Sequence, residues 1–212
     1  MVTLRQQIDR EEFDYPALMD ALSEYASPRS KVTVLLRSGE IIRVKKGLYV
    51  FGDDLRRRPY SRLVLANLVY GPSMVSHDSA LSHHGLIPEK VEAVTSATTR
   101  RSRAFHTPVG SFLYRQVPPG YFHLGMDRVE EGDLAYLIAV PERALADKIL
   151  DDRGHRLRSG IDAERYLTED LRIDREDLAK LDPGLLDRLS VVAHSRKLSV
   201  CAAFLRKIQV RS

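Results

Sequence analysis

The sequence predicts an α+β fold: an N-terminal helical region closed by a β-hairpin, then a mixed α/β domain with a small sheet and C-terminal helices. Three observations carry that expectation. Apolar residues recur at helical spacing through the first forty residues, and two β-rich runs then flank a basic, glycine-containing turn. From Met74 to Val140, short β-branched or apolar runs alternate with helical segments, and from about Ile161 the pattern is helical only. A chain of 212 residues with 43% hydrophobic content can bury a core, which excludes a disordered tail, a collagen or a coiled-coil rod.

The elements follow in order. Residues 3–12 read as a short polar helix of weak periodicity. Asp14 is the expected N-cap of the next helix, with Pro16 in the first turn, where a missing N–H is harmless. Between Tyr15 and Tyr25, Leu18, Ala21, Leu22 and Tyr25 form one apolar stripe. Ala26-Ser27 interrupts it, and Ser27 with Pro28 opens a second helix that stops near Ser38-Gly39. Val32, Leu35 and Leu36 take one side of that helix, leaving Arg29, Ser30, Thr33 and Arg37 on the other. The runs 41–44 and 48–51 then enclose Lys45-Lys46-Gly47 as a hairpin. Helix, short break, capped helix and basic-tipped hairpin are the order of a winged helix-turn-helix, expected over residues 1–55, with a second domain over 56–212.

In that second domain, residues 52–59 read as a linker and 59–70 as a helix ended by Gly71-Pro72. Met74-Val75 is a short strand, and Asp78 is the expected cap of a helix over 79–84 that Gly85 stops. Residues 91–98 are strand-like, and 104–106 with 111–117 form a second hairpin around Thr107-Pro108-Val109-Gly110. Residues 134–140 form a buried strand, Pro141 opens a helix, and three helices are expected beyond Ile161.

The formal charge of +4 hides an asymmetry. Between Ala26 and Arg62, ten basic residues face three acids, whereas residues 127–152 hold eight acids and three bases. The basic stretch suits a partner with closely spaced negative charges, such as double-stranded DNA; the alternative is a solvated basic face or a protein-interaction module. A helix fits the major groove, so Arg29, Ser30, Lys31, Thr33 and Arg37 are the candidate contacts on the helix, with Arg29, Ser30, Thr33 and Arg37 placed for base edges. Arg43, Lys45 and Lys46 at the hairpin are placed for phosphates, which position without reading sequence. Arg100, Arg101 and Arg103 follow a Ser/Thr-rich strand with no acid nearby. They are read as an extension of the DNA footprint or a contact for RNA or an acidic protein, against a plain basic shoulder.

Other chemistries find little support. The single cysteine, Cys201, excludes disulfides and a Cys-based zinc site, fits a reducing compartment, and sits on an apolar helix face as an inert thiol. His77, His83 and His84 lack the companions of a metal motif, so no metal or cofactor is expected. There is no phosphate-cradling loop and no GxSxG elbow; Glu142 and Asp147 are read as helix-capping and surface charges, so no catalytic residue is assigned and no enzyme is expected. No apolar run approaches the ~20 residues that span a bilayer, and the N-terminus lacks the apolar core of a signal peptide; a cytoplasmic protein without membrane contact is expected.

Three segments together carry a family resemblance: FDYPALMDALSEYASPRSKVTVLLRSGEIIRVKKGLYVFG over 13–52, SHDSALSHHGLIPEKVEAVTSATTRRSRAFHTPVGSFLYRQVP over 76–118, and AVPERALADKIL over 139–150. In them the chain resembles the AbiEi-type antitoxins of type IV (AbiE, abortive infection) toxin–antitoxin systems, described as transcriptional regulators of viral defence. The resemblance covers about residues 13–150 and implies a winged helix that binds inverted repeats in its own promoter as an autorepressor. It further implies antagonism, direct or indirect, of a co-encoded nucleotidyltransferase-like toxin, by a protein that is a monomer or weak dimer. Residues 27–37 would be the recognition helix and 43–46 the wing, while Arg100, Arg101 and Arg103 would lie in the antitoxin domain. Antitoxins of this family are often longer in that second domain. The companion expectation is an orphan regulator without the antitoxin role.

Overall fold

A computed structural model describes residues 4–89 and 91–210, and the chain is a mixed α+β protein with two sheets. Thr3, at the start of the first expected helix, Lys90 within the second resemblance segment, and residues 211–212 lie outside the described residues.

The first elements are α1 (Leu4–Gln7), β1 (Glu12–Asp14), α2 (Tyr15–Ala21), α3 (Pro28–Ser38), β2 (Ile41–Lys45) and β3 (Leu48–Phe51). The single polar helix expected over 3–12 is therefore corrected. Arg5 Nη1 donates to the carbonyls of Ile8 at 2.8 Å and Arg10 at 3.1 Å, closing α1 early. Residues 12–14 then pair antiparallel with β3, because Phe13 packs against Tyr49 and Phe51. Asp14 caps α2 as expected, accepting from Ala17 N at 2.9 Å. The helix nevertheless ends at Ala21, and residues 22–27 form the turn, with half-buried Tyr25 still packed on the core. Ser27 occupies the N-cap of α3 without capping it; its hydroxyl donates to Ser30 Oγ at 2.8 Å. At the other end Gly39 takes φ 79°, the left-handed conformation in which a residue without Cβ is at ease.

The small sheet has the order β1-β3-β2, all antiparallel, and both faces are used. Leu18 and Leu22 from the α2 segment and Val32 and Leu35 from α3 bury one side against Phe13, Ile41, Tyr49 and Phe51. Val44, Leu48 and Val50 turn the opposite way and join the core of the rest of the chain. Every residue of β3 is buried as a result.

There follow α4 (Arg62–Val69), β4 (Ser73–Val75), α5 (His77–His83), β5 (Val94–Thr98), β6 (Arg103–Thr107), β7 (Gly110–Gln116), α6 (Pro119–Phe122), β8 (Met126–Glu131), β9 (Leu134–Ala139) and α7 (Pro141–Asp151). Their strands form a six-stranded mixed sheet in the order β6-β7-β5-β4-β9-β8, parallel at β7/β5 and β4/β9. The second expected hairpin is β6–β7. Strand β8 was not foreseen: as an edge strand it leaves Asp127, Arg128, Glu130 and Glu131 in solvent, so its sequence shows no buried face. The cap expected at Asp78 is corrected to Ser76, and the helix starts at His77. Four helices, not three, close the chain: α8 (Gly160–Arg165), which runs into a π-helical turn at Tyr166–Asp170, α9 (Arg175–Lys180), α10 (Pro183–Val192) and α11 (Arg196–Gln209). Helices α10 and α11 pack on each other and on α7. Among the described residues no helix is long and apolar enough to cross a membrane.

Candidate nucleic-acid interface

Helix α3 sorts its side chains as its period requires. Val32 and Leu35 are buried, Leu36 is half-buried, and Arg29, Ser30, Thr33 and Arg37 are exposed. Arg29, Thr33 and Arg37 follow one another at four-residue intervals and so line one stripe, along which Thr33 Oγ1 donates back to the Arg29 carbonyl at 3.3 Å. Lys31 is half-buried, with Nζ 5.5 Å from the centre of the Tyr25 ring. The same exposed side carries Val34, 51% exposed, which the charge pattern alone did not single out. Its position beside Thr33 and four residues after Ser30 was the available signal.

The local charge excess separates into spent and unspent groups. Arg56 pairs with Asp53 at 2.6 Å and Arg58 with Asp133 at 2.5 Å, while Arg62 donates to the Glu92 carbonyl. These three hold the connection between the two sheets. Arg29, Lys31, Arg37, Arg43 and Lys46 form no ion pair with a described residue. Arg43 and Lys46 are exposed, and β2, which carries Arg43, packs against α3.

Lys45 corrects the expectation for the hairpin. Its ammonium is half-buried and donates to the carbonyl of Val69, at the end of α4, at 2.5 Å. Burial, and then the nearby Arg100 charge, depress its pKa below the usual lysine value. The reason lies in the strand. Arg43 opposes Tyr49 and Lys45 opposes Leu48, so an extra residue interrupts the register between them. Such a bulge turns the following side chain to the other face of the sheet. Arg43 stays on the side of Tyr49, and Lys45 joins Leu48 against the larger core.

Arg100, Arg101 and Arg103 are all exposed in and after the β5–β6 loop, and none pairs with a described acid. Arg100 lies over Tyr70, Cζ 5.6 Å from the ring centre, and Arg103 over Phe105 at 5.0 Å. The Tyr70 hydroxyl donates to the Arg101 carbonyl at 3.3 Å. Tyr70 follows Val69, so the hairpin lysine and this arginine loop meet at the end of α4, a proximity that sequence separation concealed.

The residues weighed for other chemistry fall elsewhere. His84 Nε2 lies 2.8 Å from the Ala139 carbonyl, and His83 is drawn below its ordinary pKa by burial and by His84. Among the described residues no group of three or more His, Cys, Asp or Glu side chains is placed to hold a metal ion. Cys201 is fully buried, and burial pushes its thiol up to about 12. Glu142 accepts from Asp182 N at 2.8 Å, a contact at the start of α10. Asp147, expected at the surface, is instead 2% exposed and paired with fully buried Arg143 at 2.9 Å.

Fold and site together define a class, an α+β protein in which the cations of α3, and Arg43 and Lys46 of the hairpin after it, form no ion pair with a described residue. Comparison adds nothing narrower: no family model matches the chain, and no curated protein matches it.

Proposed function

We propose that the chain is a sequence-specific DNA-binding autorepressor and antitoxin of the AbiEi type, with residues 1–55 forming a winged helix-turn-helix. The order α1-β1-α2-α3-β2-β3 supports the winged-helix reading, with α3 as the groove-entering helix and the β2–β3 turn as the wing. One observation carries the DNA reading: within the basic stretch 26–62, Arg29, Lys31 and Arg37 of α3 and Arg43 and Lys46 of the hairpin form no ion pair with a described residue, while Lys45, Arg56, Arg58 and Arg62 are consumed by internal contacts. Arg29, Ser30, Thr33 and Arg37 meet base edges, Val34 supplies an apolar contact of the kind a thymine methyl accepts, and Arg43 and Lys46 meet phosphates. Arg100, Arg101 and Arg103 continue the phosphate track beside the hairpin. The antitoxin role rests on the resemblance over 13–150 and is read out by co-expression with a neighbouring nucleotidyltransferase-like gene.

The test of DNA binding is a mobility-shift titration across salt with the DNA upstream of the protein's own reading frame. Arg43→Ala and Lys46→Ala each weaken binding to every sequence and reduce the slope of log K against log salt by about one. Slopes unchanged in both variants would overturn the assignment.

A further inference from the structure

The partition of charge seen around α3 recurs between α7 and α8, in the segment 152–159. The acids in and around this segment are committed internally. Asp151 pairs with Arg115 at 3.2 Å. Asp152 Oδ2 lies 2.8 Å from His155 Nδ1, and the other ring nitrogen of His155 lies 3.3 Å from Asp170 Oδ2. Asp162 Oδ2 accepts from Ser159 N at 2.9 Å in the capping box of α8 and stands near Arg158. Lys197 Nζ donates to the Asp152 carbonyl at 2.6 Å, and buried Leu157 anchors the segment in the core. Arg153 and Arg156 remain: both are exposed, and neither forms an ion pair with a described residue.

Contacts connect this segment to the hairpin along one end of the larger sheet. Strands β5 and β7 run parallel, with Thr98 opposite Gln116 at their ends. The loop that carries Arg100 and Arg101 leaves from that end, and its Ser102 Oγ accepts from Gln116 N at 2.9 Å. Arg115, the residue before Gln116, lines a cleft together with Arg153. On the other side of the loop, Arg100 lies over Tyr70, and its charge acts on Lys45, the neighbour of exposed Lys46. The cations thus follow one another from the hairpin turn, across the end of the six-stranded sheet, to the 152–159 segment. Asp151, which lies on that path, is held by Arg115.

We infer that bound DNA runs along this rim, with backbone phosphates meeting Arg153 and Arg156 beyond the stretch that α3 reads. The inference rests on the DNA-binding reading and carries its footprint into the larger part of the chain. A duplex bears one negative charge per about 1.7 Å of axis, so cations spaced along a path each find a phosphate, whereas a compact anion needs convergent groups. The planar fork of a guanidinium matches two phosphate oxygens. Because the segment is already tied at Asp152, His155 and Leu157, little ordering cost attends the contact. Such contacts add affinity and fix position without altering the preferred sequence.

Hydroxyl-radical footprinting and salt-titrated mobility shifts test this, using the DNA upstream of the reading frame and the full chain carrying Arg153→Ala with Arg156→Ala. Protection is expected to be lost on the outer flank alone, with the preferred site kept and the slope of log K against log salt lowered by up to about two. Arg165→Ala, which removes an exposed arginine held by Glu169 at 3.2 Å, is expected to leave footprint and slope unchanged. Trimming the outer flank from the duplex is expected to weaken the unsubstituted chain, a measurement independent of how the variant folds. An unsubstituted chain that binds DNA but is indifferent to trimming overturns this inference alone. So do a footprint and slope unchanged in the paired variant, or an equal loss in Arg165→Ala. A chain that binds no DNA overturns the DNA reading and this inference with it.

Discussion

His77 is 5% exposed and couples the stability of the fold to pH. Burial is the main cause that lowers its pKa; Asp147, Asp151 and Asp78 oppose the shift, and Arg115 adds to it. In the unfolded chain the ring takes up a proton near its ordinary value of about 6.5, while in the folded chain it stays neutral below that. The unfolded state therefore binds more protons as pH falls through that value, and stability declines there; above it this group contributes no slope. From about pH 7 to about pH 5.5, the native chain is expected to lose stability more steeply than His77→Asn, by up to about 1.4 kcal/mol per pH unit. Urea denaturation at a series of pH values measures this, and parallel curves would refute it. Little of it was legible beforehand. The absence of a metal motif around His77 was readable, but its burial beside Asp147 was not, because α5 and α7 are brought together by packing between segments distant in sequence.

At the scale of elements, α3 was the most legible and the edge strands the least. Caps, a proline at the first position and a three-four apolar spacing are local signals, and they set α3 within a residue of Pro28–Ser38. Strands β1 and β8 exist through their partners, and neither is long or strongly alternating. The end of α3 offers a paired test. A Cβ on Gly39 would meet nothing within 4 Å, so Gly39→Ala is charged only for its left-handed backbone, about 1 kcal/mol. Gly52 packs directly on the Gly39 carbonyl, and its N–H donates to the Glu40 carbonyl at 2.9 Å. A methyl there must displace backbone, and Gly52→Ala is expected to cost roughly 3 kcal/mol. Thermal denaturation of the two variants checks the order; equal losses would mean that the β3 end yields freely.

Across the whole molecule, the small sheet is shared. Its inner face closes the core of α2 and α3, and its outer face belongs to the larger core. Glu11 Oε1 accepts from Arg57 N at 3.3 Å and Arg58 pairs with Asp133 at 2.5 Å, so the segment expected to act as a linker is tied down on both sides, and just beyond it Glu12 Oε1 accepts from Ser61 N at 2.5 Å. Lys45 belongs to this junction. Lys45→Ala is expected to remove about 1–3 kcal/mol of stability, by leaving the Val69 carbonyl without its donor, while the salt slope of DNA binding is retained. Calorimetry and the salt-titrated mobility shift separate the two effects. A slope lowered by about one would return Lys45 to the phosphate contacts.

What the sequence determined by itself was the α+β class, the polar and apolar sides of α3, the basic hairpin after it and the inert setting of Cys201. Each depends on neighbours within a turn or a hairpin, where periodicity and caps are written directly in residue order. Only the tertiary structure decided which cations stay free, that Lys45 turns inward after a bulge, that Arg100 stands beside it, and that Asp147 and His77 are buried near one another. Those outcomes depend on which distant segments share one low-dielectric interior, where a charge must find a partner or remain at the surface, and residue order records no such distances.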